Sequence, residues 1–91
     1  MKITKQDVEN VADRINNITG NSLNQWVKRG KSFKSKVGNY HISYAYGGVA
    51  LHQFSNEGGA VRDVFGGHMP KRELYYRMQA YCDGLIDAKN T

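Results

Sequence analysis

The sequence predicts an α+β fold: a two-layer sandwich in the order helix, three- or four-stranded antiparallel meander, helix. Three observations predict it. Apolar residues recur at helical spacing near the N-terminus and again after Pro70. Between them, from residue 32, the period changes to two. Glycine dipeptides punctuate that alternating stretch where hairpins need tight turns.

The first helix is expected over residues 4 to 19. Thr4 is a suitable N-cap, with Asp7 at the capping-box position and Ile3 and Val8 flanking it as a hydrophobic staple. Val8, Val11, Ala12, Ile15 and Ile18 form one apolar stripe, and Gly20 stops the helix. Leu23 and Trp26 are candidates to pack on the core, with a short strand near 24 to 28 and a turn at Gly30.

In "SFKSKV", Phe33, Ser35 and Val37 alternate with Lys34 and Lys36, and in "YHISYAY" Tyr40, Ile42, Tyr44 and Tyr46 alternate with His41, Ser43 and Ala45. Gly38-Asn39 and Gly47-Gly48 read as two-residue hairpin loops. That register sets Val37 against Tyr40, Ser35 against Ile42, Phe33 against Tyr44, Tyr46 against Val49 and Tyr44 against Leu51, so that Tyr40, Tyr44 and Tyr46 become core. A further strand, "AVRDVF", follows the loop Asn56 to Gly59 and sets His52 opposite Asp63. Pro70 suits the first position of a second helix over 70 to 88, whose stripe is Leu74, Met78, Tyr81 or Cys82, and Leu85.

At 91 residues the chain is expected to form a single domain, 1–91, with one core and little room for a deep enclosed active site. No apolar run is long enough to span a membrane, no signal peptide is evident, and the single cysteine, Cys82, excludes an internal disulfide and suits a reducing cytoplasm. The net charge of +5 has one source: Lys28, Arg29, Lys31, Lys34 and Lys36 lie in "KRGKSFKSK" with no acid among them. That stretch reads as a solvated basic edge or as an electrostatic footprint for nucleic acid or another anionic partner.

Three Gly-Gly pairs fall between residues 44 and 68. Two of them serve hairpins, and no phosphate-loop or dinucleotide fingerprint is present. The third, Gly66-Gly67, leads through His68 into the second helix, whose first turn carries Lys71 and Arg72, with Tyr76 one turn on. Glycine backbone, free helix N–H groups and two cations make Gly66, Gly67, His68, Lys71, Arg72 and Tyr76 a candidate anion site.

The sheet face away from the helices is expected to show Lys34, Lys36, His41, Ser43, His52 and Phe54, with Val61, Asp63 and Phe65 from the last strand. Cations, histidines and rings together suit a protein partner, a second copy of the chain, or stacked bases. His41, His52, His68 and Cys82 lack the close ligand pairs of a zinc site, no nucleophile of settled geometry accompanies His52 and Asp63, and no motif calls for a cofactor.

The motifs "GNYH", "AYGG", "NEGG", "GGHMPKREL" and a closing "AY-x-x-G-L", over residues 38 to 85, resemble a group of small proteins encoded by tailed bacteriophages and prophages. The group has no established activity, so no site residue transfers. The resemblance implies expression in a bacterial host cytoplasm and a role in binding a host component, either a host or defence protein or a small anionic nucleotide. The order helix, three-stranded meander, helix is also similar to double-stranded RNA-binding domains, and Lys71 and Arg72 stand where those domains place lysines. "PKREL" departs from their pattern, and topology alone does not carry function. The sequence therefore reads as a non-enzymatic binding and inhibitory protein, with nucleic-acid binding through residues 28–36 as the alternative.

Overall fold

Thr4 starts the first helix as expected. Its Oγ1 accepts from Asp7 N at 3.2 Å while Asp7 Oδ2 accepts from Thr4 N at 2.8 Å, so the capping box closes with aspartate in the usual glutamate position. The computed structural model describes the backbone of residues 2–21, 26–29 and 32–90. Helix α1 spans Lys5–Ile18 and buries Val8, Val11, Ala12, Ile15 and also Asn16. Helix α2 spans Lys71–Lys89 and buries Leu74, Met78 and Cys82. Pro70 is its N-cap, one position earlier than the sequence suggests, and no side chain caps it.

Among the described residues five strands lie between the helices: β1 (Trp26–Arg29), β2 (Ser32–Ser35), β3 (Tyr40–Ala45), β4 (Gly48–Phe54) and β5 (Val61–Asp63). They form two sheets. β3, β4 and β5 make an antiparallel meander, while among the described residues β1 and β2 pair with each other alone, Trp26 opposite Ser35 and Arg29 opposite Ser32. Both helices pack on one face of the meander, so the α+β sandwich stands.

The expected pairing of residues 32–37 with β3 does not occur, and Asn16 supplies the reason. Its side chain bonds both backbone groups of Tyr40, on the edge that β2 would have needed. The chain turns one residue earlier than expected, at Val37-Gly38, where Asn39 N donates to Lys36 O, and Gly38 and Asn39 then bond β4: Gly38 N donates to Phe54 O and Phe54 N to Asn39 O, both at 2.9 Å. Val37 is therefore 55% exposed and takes no part in the inner face. Leu23, Gly30 and Lys31 lie outside the described residues.

The second hairpin forms, but its loop is Tyr46-Gly47, with φ of 56° and 74°. Two positive φ values in succession match a type I′ turn, whose twist suits antiparallel strands. The register therefore moves by two residues, to Tyr44 opposite Val49 and Ile42 opposite Leu51. An even shift keeps every residue on its expected face. Gly48 becomes a strand residue opposite Ala45, and Met69 passes so close that a Cβ on Gly48 would lie 2.9 Å from Met69 O. The last hairpin has the expected register, with His52 opposite Asp63. Asn56 Oδ1 organises its loop by accepting from Gly58 N at 2.8 Å and Ala60 N at 3.2 Å.

The core joins Val8, Val11 and Ile15 of α1, Leu74, Met78 and Cys82 of α2, and Tyr40, Ile42, Val49 and Leu51 of the sheet. Tyr40 meets Tyr81, the two hydroxyls 2.8 Å apart. Tyr44 and Tyr46, expected in the core, are 44% and 96% exposed: Tyr44 lies at the rim against Lys5 and Glu9 of α1, and Tyr46 sits in the turn. Among the described residues no helix is long and apolar enough to cross a membrane.

Candidate binding face

Strand alternation decides what the face away from the helices displays. It carries His41 and Ser43 from β3, Ala50, His52 and Phe54 from β4, and Val61 and Asp63 from β5. His68 joins them through a return of the chain. After β5 the backbone reverses through Gly66 and Gly67, with φ of 86° and 137°, and Asp63 Oδ1 accepts from Gly66 N at 3.1 Å. The chain then rejoins the edge of β4, where Met69 and Val49 exchange two hydrogen bonds of 2.8 Å. Met69 faces the helices with Val49, so its neighbour His68 faces outward. Gly66-Gly67 thus makes a turn that delivers His68 to this face.

The result is a row of five rings. Phe54 lies 4.5 Å from His41, His41 5.7 Å from His52, His52 5.8 Å from His68 and His68 5.5 Å from Tyr46, measured between ring centroids. His41 and His52 are directly opposite partners. His68 Nε2 lies 3.1 Å from Ser43 Oγ. The small Ala50 between their strands leaves room for that contact and is fully buried. His52 Nε2 and Asp63 Oδ2 are 3.7 Å apart, an ion-pair distance longer than a hydrogen bond. Burial, and secondarily the neighbouring His52, pulls the His41 imidazole below its ordinary value, while Glu9 opposes the shift. Among the described residues no three His, Cys, Asp or Glu side chains are grouped so as to hold a metal ion.

The other expected site residues are dispersed. Lys28 and Arg29 end β1 and Lys34 lies on β2, in the hairpin that pairs only with itself, so these positions are not on the meander's outer face. Lys36 enters the turn that closes from Asn39 N to Lys36 O, and it is off this face as well. Phe65 turns toward the helices, where its ring lies edge-on to Tyr81 at 5.7 Å. The proposed anion loop is divided by Pro70. Gly67 and His68 line one cavity of about 480 Å³, together with Tyr46, Gly48 and Met69. Lys71 lines a different cavity. Arg72 is exposed at the start of α2, and Tyr76 is half-exposed with its ring against Tyr75.

Sequence reasoning missed Tyr46 as a surface residue. The available signal was the stretch "AYGG", which admits a loop one residue earlier than Gly47-Gly48. No family model, no curated protein and no solved structure matches the chain.

Proposed function

We propose that the chain is a non-enzymatic, phage-encoded accessory protein that binds a bacterial host protein through its outer sheet face and inhibits it by occlusion. Tyr46 carries this reading. It is 96% exposed and adopts a left-handed φ of 56° at the tip of the β3–β4 turn. Asn, Asp or Gly suits that position, and a bulky side chain there costs about 1 kcal/mol. A strained, fully exposed tyrosine at the end of a row of rings is better explained by contact with a partner than by folding. The outer face of β3 to β5 displays no lysine or arginine. Stacking rings and backbone-tracking cations are thus on different sheets, which favours a protein over a nucleic acid.

The test is capture from nuclease-treated bacterial lysate by the chain and by its Tyr46→Asn variant. Asparagine fits the turn and removes the ring, so the variant should melt no lower than the parent and lose the captured protein. Equal capture by the variant refutes the reading. Capture seen only in a parallel untreated lysate, and lost in high salt, supports nucleic-acid binding through residues 28–36 instead. Sedimentation of the isolated chain distinguishes a host partner from a second copy on the same face.

A further inference from the structure

An open cavity of about 580 Å³ lies beside the β3–β4 turn, on the side of the helices. Its walls include Lys5, Tyr44, Gly48, Val49, Pro70 and Lys71. The two lysines are far apart in sequence and line one cavity because each opens a helix whose start reaches this end of the sheet. Lys5 Nζ rests over the Tyr44 ring, 4.6 Å from its centroid. Among the described residues neither lysine pairs with a carboxylate. Two ammonium groups sharing one concave site raise its potential and attract anions.

The remaining walls narrow the chemistry. Tyr44 donates its hydroxyl to Glu9, and burial followed by that bond pushes the phenol above its ordinary value, so it stays neutral near neutral pH. Its ring face is a flat apolar surface that suits a stacked ring, leaving the anionic group to the lysines. Gly48 contributes no side chain, and Val49 adds an apolar wall. The volume suits a ligand of drug or nucleotide size.

We propose that this cavity binds a phosphorylated small molecule bearing a flat ring, of mononucleotide size. Lys71 and Lys5 take the phosphate, and Lys5 leaves the face of Tyr44 to the ligand's ring. The site lies on the helix side of the sheet and adjoins the Tyr46 cavity at Gly47, Gly48 and Pro70, while Tyr46 and His68 take no part in its walls.

Calorimetric titration of the full chain with adenosine 5′-monophosphate, ribose 5-phosphate, inorganic phosphate and adenosine tests it. The nucleotide should bind tightest, ribose 5-phosphate and phosphate more weakly, and adenosine weakest. Lys71→Gln should weaken nucleotide binding about tenfold, a change of about 1.4 kcal/mol. Tyr44→Leu should bring the nucleotide down to the level of ribose 5-phosphate. Tyr46→Asn should leave all four titrations unchanged, which separates this site from the partner face. Lys71 is exposed, so its variant should keep the parent's circular dichroism. Adenosine binding as tightly as its monophosphate overturns the proposal, as does a folded Lys71→Gln, Lys5→Gln double variant with parental affinity. Inorganic phosphate binding as tightly as the nucleotide overturns the assignment of a ring-bearing ligand. The absence of saturable binding by all three phosphates at millimolar concentration overturns the site.

Discussion

The side chain of Asn16 holds the backbone of Tyr40 as a neighbouring strand would. Asn16 Nδ2 donates to Tyr40 O at 2.9 Å, and Tyr40 N donates to Asn16 Oδ1 at 2.8 Å. Both residues are buried, so this amide from α1 satisfies two backbone groups that water cannot reach. It also closes the edge of β3 at its start and ties α1 to the sheet in one register. Asn21 reinforces the junction, donating through Nδ2 to Gly38 O at 2.9 Å.

Asn16→Ala should therefore cost about 2–4 kcal/mol, because each orphaned buried group costs about 1–3 kcal/mol. Asn16→Asp should also destabilise, since a carboxylate accepts from Tyr40 N but gives nothing to Tyr40 O. Urea unfolding read with an unchanged slope measures both variants. A loss below about 0.5 kcal/mol for alanine, the size of an ordinary surface change, would refute the role.

Two glycines should respond oppositely to the same substitution. At Gly48 a Cβ would meet Met69 O at 2.9 Å and Met69 N at 3.2 Å, both backbone atoms of a bonded strand pair. Gly48→Ala should push that pair apart and cost about 1–3 kcal/mol. Gly84 lies within α2 with nothing near its missing Cβ, so Gly84→Ala should stabilise by about 0.5–1 kcal/mol through helix propensity. Thermal melts of the two variants should shift in opposite directions.

The residues explain how much of this was legible. Both helices were readable because capping and 3.6-residue periodicity are local signals, and Thr4, Asp7, Leu74 and Met78 behave as expected. Periodicity of two placed His41, Ser43, His52 and Phe54 on the outer face even though the loop assignment at Gly47-Gly48 was one residue late. Such an error moves the register by an even number and leaves faces intact. The pairing of β2 was not legible, because it depends on a long-range contact: Asn16 looks like a polar residue beside an apolar stripe, and nothing local says that it will seat on Tyr40. The cavity between Lys5 and Lys71 was hidden for the same reason, since only tertiary packing brings the two helix starts together.

Alkaline pH should expose the Tyr40–Tyr81 pair. Burial, followed by the hydrogen bond to Tyr81, pushes the Tyr40 phenol up to about 12 from an ordinary 10.0. Between those values the unfolded chain gives up a proton that the folded chain keeps. Stability from this group is thus constant below pH 10.0 and falls as pH rises through 12. Tyr40→Phe should flatten that decline while lowering stability at neutral pH, because the half-buried Tyr81 hydroxyl loses its partner. An unchanged alkaline slope in the variant would assign the decline to other groups.

Acid should weaken the fold through His41. Its imidazole lies below the ordinary 6.5, first because of burial and then because of His52, despite the opposing pull of Glu9. Its Nδ1 is buried without a hydrogen-bond partner, so the doubly protonated ring would hold a buried N–H without an acceptor. Above pH 6.5 both folded and unfolded chains carry the neutral ring, and the group contributes no pH dependence. As pH falls below 6.5 the unfolded chain gains a proton that the folded chain resists, so stability declines until the folded value is passed. His41→Phe keeps a ring beside Phe54 and removes the titration. Unfolding midpoints measured between neutrality and pH 5 should fall for the parent and fall less for the variant. Equal slopes would show that His41 does not set the acid response.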